Sequence, residues 1–379
     1  MKKNKFIKTH KIKNYQELLN IIQGNSKFGD LRQDYIFRGL KKSYYELIPS
    51  SLRKDKQGIY EITKFIVDSE FKLSLQTTYK QAVEDDFFGE KFEVTEENEN
   101  CIIMNPINKH GRIIGGDYRI PFIKSASELQ FKRETYVLLK FLNYCDRIGL
   151  RIQVNEKVRR WLHNFIRYQY EQETIWPEFE FFEIISLAQH YGLPTRALDW
   201  SYDYKIALYF AVEDALKKDS VDCALWAFNY KLFEDNYGVD KYYYEIPKLE
   251  IYRPEYNSNP NLSAQKGLFT FWSCTSDDNL LDDTSFDKLI INELIENASI
   301  YEYDLIKTEY HKIEGYERII IPKNIKIFHK FIIPCKLKVK ILKELYAEGY
   351  TNEVIYPSYR GVVDSIRRKV ELNEYLQNE

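Results

Sequence analysis

Fourteen residues near the middle of the chain, LAQHYGLPTRALDW from Leu187 to Trp200, leave little freedom for the fold around them. FFEIISLAQHYG carries apolar residues at helical spacing, and the Gly-Leu-Pro-Thr step at 192–195 cannot continue a helix. RALDW is too short and too β-like for anything but a brief extended segment. YKIALYFAVEDALKK then reads as an amphipathic helix with Ser201 or Asp203 as its N-cap, and CALWAFNY as a strand. A corner needs only the glycine and the proline. The concentration of His190, Tyr191, Arg196 and Asp199 around it asks for another reason.

The rest of the chain supplies the other layers. Asn14 followed by Glu17 predicts a capping box opening YQELLNIIQ, with Gly24 as its stop. DYIFRGL predicts a strand ending at Gly39, LIPSSLRK a loop, and Ile59 to about Leu75 a helix. Helical periodicity returns over 127–144 and 155–170. Between these helices, residues 82–125 interrupt the pattern with acidic EDDFFGEKFEVTEENEN and glycine-rich GRIIGGDYRIP. They read as an inserted loop or hairpin whose acidity suits a protein partner. Residues 231–263 are rich in Tyr, Asn and Pro and read as a long connection. Beyond it, GLFTFWSC, ERIIIPK, HKFIIPC and EVIYP predict strands, and KLKVKILKELYAEG a helix ending at Gly349. No internal repeat is visible. With helices dominating the first half after Gly39 and strands the second, the expected class is α+β: a helical N-terminal half packed on a mixed β core, in a single domain over residues 1–379.

A formal net charge of −2 gives no bulk attraction to nucleic acid or to an anionic membrane, and the pairs Arg159-Arg160 and Arg367-Arg368 are too short to alter that. Aromatics make up 16% of the chain, which aromatic-rich packing explains better than a stacking surface. The five cysteines, at 101, 145, 223, 274 and 335, form no Cys-x-x-Cys pair and suit reduced thiols in a cytosol. The six histidines show no metal-ligand spacing. MKKNKFIKTHKIKN is basic but has no apolar core, and no run of about 18 apolar residues occurs. These features predict a cytoplasmic protein with no membrane contact.

Several segments together resemble the FRG domain family: Phe37-Arg38-Gly39, the element Leu47 to Leu52, the core Ala188 to Trp200, and the helix Ala207 to Ala211. Further along come Gln265, Gly267, Phe269 and Thr270, the step Ile333 to Lys338, and the pair Gly349 and Pro357. An aspartate-rich ending is replaced here by Ser358-Tyr359-Arg360-Gly361, which speaks against an acidic role there. Members occur in bacteria and phages, often near defence or toxin modules. The family bears a weaker resemblance to ADP-ribosyltransferases. That likeness implies an ADP-ribosyltransferase-like β core, NAD as substrate, a macromolecular acceptor and a role in anti-phage defence.

Carried onto this chain, the likeness has Arg38 and Gly39 holding the NAD diphosphate through a planar guanidinium fork. His190 and Tyr191 would hold the nicotinamide riboside, Thr195 and Arg196 would also bind NAD, and Ser201, Asp199 and Gln265 would form the catalytic set. Gln265 stands nearest the place where such enzymes carry a glutamate, and Glu353 is a weaker candidate. Each residue also has a plain structural reading. Arg38 could pair with Asp199; Asp199, flanked by Leu and Trp, should be partly buried with Arg196 or Arg38 as its partner. Ser201 could merely cap a helix, and a helix C-terminus favours His190 without any ligand. NAD hydrolysis with water as acceptor, or a non-catalytic sensing and interaction module, are the competing functions.

Overall fold

The computed structural model describes residues 6–84, 92–97, 101–106, 110, 112–113, 115, 118–121, 125–152, 154–163, 175–234, 248–255, 260–275, 285–299 and 326–377. Among these, the strands are β1 (Ile7–Lys11), β2 (Tyr35–Leu40), β3 (Phe92–Glu97), β4 (Cys101–Pro106), β5 (Tyr118–Pro121), β6 (Leu198–Ser201), β7 (Cys223–Asn229), β8 (Leu249–Tyr252), β9 (Gly267–Trp272) and β10 (Phe328–Ile333). The class is α+β. The chain divides into two compact units: residues 1–47, 199–270 and 285–379 form the first, and residues 48–198 and 271–284 the second.

A seven-stranded sheet in the order β1-β10-β7-β2-β6-β9-β8 organises the first unit. β1 runs parallel to β10, whereas β10 with β7, β7 with β2, and β2 with β6 are antiparallel. Period-2 alternation sorts the side chains. Tyr35 and Phe37 of β2, Leu225 and Ala227 of β7, and Phe331 and Ile333 of β10 join one core with Leu208 and Val212 of the helix Tyr204–Val212 and Ile341 and Leu345 of the helix Cys335–Ala347. The glycine of Phe37-Arg38-Gly39 has a packing cause: a Cβ at Gly39 would lie 1.8 Å from the carbonyl oxygen of Ala207. Only a residue without that atom lets β2 lie this close to the helix.

The helix Tyr15–Ile22 starts as predicted, with the Asn14 side chain accepting from the Glu17 amide at 2.9 Å. Gly24, at φ +89°, follows it in the left-handed region. Asp203, not Ser201, caps Tyr204–Val212 by accepting from the Lys205 amide at 3.0 Å.

In the second unit the long helix is Ala126–Arg147, and Phe182–His190 leads to the corner. Gly192 there has φ +90°. The stretch expected as a helix from Ile59 is a 3-10 turn at Glu61–Phe65 followed by a helix at Asp68–Glu84. β3, β4 and β5 form a separate antiparallel sheet, so residues 82–125 hold a hairpin and a third strand. LIPSSLRK contains a 3-10 turn at Ser50–Leu52.

Several other expectations change. EVIYP is not a strand: Asn352–Ile355 is one helical turn, its Ile355 fully buried. Strands do not dominate the second half, which also holds helices at Phe286–Ser299, Cys335–Ala347 and Tyr359–Gln377. β1 lies in a basic segment that hides its alternation; it is an edge strand, where charged side chains are expected. ERIIIPK lies outside the described residues.

Candidate functional site

In the first unit, Arg38 projects from β2 away from the Tyr35 and Phe37 side and is only 8% exposed. Its Nη1 lies 2.5 Å from Asp199 Oδ1 and donates to the Asp199 carbonyl oxygen at 2.5 Å. Of the two partners expected for Asp199, Arg38 is the one it meets, and its side chain is only half buried, 51% exposed, because it faces outward from β6 between buried Leu198 and Trp200. A carboxylate that meets solvent can exchange its cation for water or for another ligand far more cheaply than a buried one.

Register places more cationic and donor groups beside Arg38. Arg38 stands opposite Trp226 on β7, and Trp226 stands opposite Lys330 on β10, so the three side chains share one sheet face. Lys330 Nζ lies 4.9 Å from the Trp226 ring centroid. Burial lowers the Lys330 pKa, against the opposing pull of Asp287 and Glu46. Arg38 Nε and Trp226 Nε1 are both buried donors without an acceptor. Such groups are rare in folded proteins and mark places where an acceptor would be stabilised.

Ser201 and Gln265 meet through backbone. Ser201 Oγ donates to the Gln265 carbonyl oxygen at 2.8 Å and accepts from the Asp203 amide at 3.0 Å. Gln265 Nε2 donates to the Ile355 carbonyl oxygen at 3.2 Å. Glu353 sits on the single turn Asn352–Ile355 rather than before a strand.

The other predicted residues belong to the second unit. His190 ends the helix Phe182–His190, with Tyr191 as its C-cap, 69% exposed, and the two rings edge-to-face at 5.2 Å. Thr195 is buried; its Oγ1 donates to Gln189 Oε1 at 2.7 Å, and its amide donates to Ser50 Oγ at 3.0 Å. Arg196 does not pair with Asp199. Its Nε and Nη2 grip Glu134 Oε2 and Oε1 at 2.8 and 3.1 Å, and its Nη1 points at Cys274 Sγ at 3.2 Å. Both side chains of this pair are 4% exposed. Burial opposes the Arg196 charge, but Glu134 and then Cys274 outweigh it and raise the pKa.

Glu134 was not singled out from sequence. It accepts further bonds from Ser51 Oγ at 2.8 Å, Gln130 Nε2 at 3.0 Å and Trp176 Nε1 at 2.6 Å. The available signal was a carboxylate four residues after Gln130 and four before Leu138, on the apolar face of its helix. The adjoining cavity, lined by Glu134, Trp176, Leu193, Thr195 and Arg196 among others, has about 10 Å³ for a water centre, which is room for about one water and not for a nucleotide.

The stretch that carries the Glu134–Arg196 pair, the corner and the helix Tyr204–Val212 decides the relationship. Residues 133–220 match the FRG domain. The FRG segment therefore includes Glu134, His190, Tyr191, Thr195, Arg196, Asp199 and Ser201, whereas Arg38, Gly39 and Gln265 lie outside it. Its best-satisfied polar contact is architectural, with the arginine of Pro194-Thr195-Arg196 tying the corner to the long helix. No curated protein and no solved structure matches the chain. Among the described residues no cluster of three or more His, Cys, Asp or Glu could hold a metal, and no helix is long and apolar enough to cross a membrane.

Proposed function

We propose that the first unit binds a phosphate-bearing dinucleotide, NAD, through Arg38, and that the chain transfers ADP-ribose from it to a macromolecule as a bacterial defence effector. The observation that carries this reading is the row Arg38–Trp226–Lys330. It presents two cations and an indole N–H on one sheet face, with Arg38 Nε and Trp226 Nε1 lacking acceptors. Phosphate oxygens would satisfy both donors, and the half-exposed Asp199 carboxylate is the group they would displace. Gln265 would then orient the nicotinamide ribose by hydrogen bonding, since an amide cannot serve as a carboxylate base.

The test is release of nicotinamide from NAD by the purified protein, with and without cell lysate, alongside labelled NAD to reveal an acceptor. Gln265→Ala should spare NAD binding and lower turnover, because its contact gains strength as the ribose acquires positive charge. Release without a labelled acceptor would assign NAD hydrolysis instead. A second reading, a non-catalytic interaction module, draws on other contacts of the same unit: Ser201 and Gln265 are already engaged with backbone, and Arg38 already holds Asp199. Absence of both release and labelling, with lysate present, would favour that reading.

A further inference from the structure

The helix Tyr359–Gln377 is laid down inside out. At 100° per residue, its buried positions Gly361, Ser365 and Leu372 fall on one side together with the mostly buried Arg368. They are mostly small or polar, and Gly361 is pressed so close that a Cβ would lie 1.9 Å from the Tyr356 carbonyl oxygen. Diametrically opposite, Tyr359, Val362, Val363, Ile366 and Val370 form a stripe about 100° wide. They are 96%, 46%, 49%, 62% and 52% exposed. Isolated exposed apolar residues are ordinary; a continuous stripe of five at helical spacing marks an interface.

Charge identifies what covers it. Residues 359–369 carry Arg360, Arg367, Arg368 and Lys369 against one acid, Asp364, whereas residues 370–377 carry Glu371 and Glu374 and no base. A parallel neighbour of the same sequence would set like charge against like. An antiparallel copy centred on Ile366 sets Arg360 beside Glu371 and Asp364 beside Arg367 of the second copy, these four side chains lying on one flank of the stripe.

We propose that this chain forms a two-fold homodimer in which Tyr359–Gln377 packs antiparallel against the same helix of a second copy. Ile366 then lies at the two-fold axis, and Val362 packs against Val370 of the second copy. The inference is independent of what the first unit binds. A helix of this length is about 28 Å long. Its stripe buries less than the roughly 1,200 Å² typical of tight complexes, so the dimer is expected to dissociate in the micromolar range.

The test is sedimentation of the full chain from about 1 to 200 µM, paired with two cysteine variants under mild oxidation. The wild type should pass from monomer to dimer, and Ile366→Glu should stay monomeric with an unchanged melting temperature. Ile366→Cys should form a covalent dimer, whereas Tyr359→Cys, expected about fourteen residues' rise (roughly 21 Å) from its own copy, should not. A wild type monomeric at 200 µM overturns the proposal. So does equal cross-linking through both cysteines, which would mean a parallel or unspecific contact, or a dimer that survives Ile366→Glu.

Discussion

Two arginine–carboxylate pairs, one in each unit, have opposite characters. Arg196 and Glu134 are both 4% exposed, and Glu134 is further held by Ser51, Gln130 and Trp176. Arg38 is nearly as buried, but Asp199 is half in solvent and Arg38 Nε has no acceptor. The first pair is closed on itself, so any change leaves a charge stranded in a low-dielectric interior. The second has a spare donor and an exchangeable partner. An arginine within a conspicuous motif is therefore no guide to binding until the burial and completeness of its partner are known.

The largest effect should come from breaking the closed pair. Glu134→Ala strands Arg196 and the Trp176 indole N–H, and should destabilise the second unit by about 3–5 kcal/mol in urea unfolding. A loss below about 1 kcal/mol would remove the architectural role given to Arg196.

Gly39→Ala probes the backbone beside the open pair. Its Cβ would overlap the Ala207 carbonyl, forcing β2 from the helix at a cost of about 1–3 kcal/mol. A melting temperature equal to the parent's would refute the packing account of this glycine.

A third expectation concerns acid. His10 Nε2 and His329 Nδ1 lie 2.9 Å apart, stacked beside Phe331 and edge-on to Phe28. Burial, with Lys8 adding to it, lowers His10 to about 4; burial, then His10, Lys326 and Lys8, lowers His329 to about 3, while Glu17 weakly opposes the shift at His10. Both folded values lie below the usual 6.5, so the unfolded chain binds more protons at mildly acid pH. This contribution is complete above about pH 6.5 and is lost as pH falls toward 4 and then 3. His10→Phe should flatten the slope of first-unit stability between pH 6.5 and 4. An unchanged slope would assign the acid limb to carboxylates.

Asp199→Asn should be the mildest of these substitutions. With the carboxylate half exposed, its loss should cost no more than about 1 kcal/mol, read as a small shift in thermal midpoint. A loss as large as that from Glu134→Ala would erase the distinction between the two pairs.

Much of the middle of the chain was legible. The helix up to His190, the turn at Gly192, the strand through Trp200, the following helix and β7 all follow from periodicity and from Gly and Pro. β2 was readable too, from the β-branched and aromatic residues of DYIFRGL. Legibility failed where the deciding partner was distant in sequence. Nothing local to Arg196 points to Glu134, 62 positions away, and nothing local to Asp199 shows that β6 turns it toward water. EVIYP has strand-like composition, but Asn352–Ile355 closes one helical turn and buries Ile355. Tyr359–Gln377 was missed because its small inward residues and apolar outward residues invert the usual pattern.

The central claim is that Arg38, unlike Arg196, is a binding arginine, and calorimetric titration of NAD into the wild type and Arg38→Lys tests it most directly. Lysine keeps the charge but loses the planar fork, and losing one charge-assisted hydrogen bond of about 1.5–3 kcal/mol should weaken binding about 10- to 100-fold. The account predicts that weakening with a thermal midpoint close to the parent's. No NAD-dependent heat in either protein, together with a lowered midpoint for Arg38→Lys, would contradict it and make Arg38 a structural residue like Arg196.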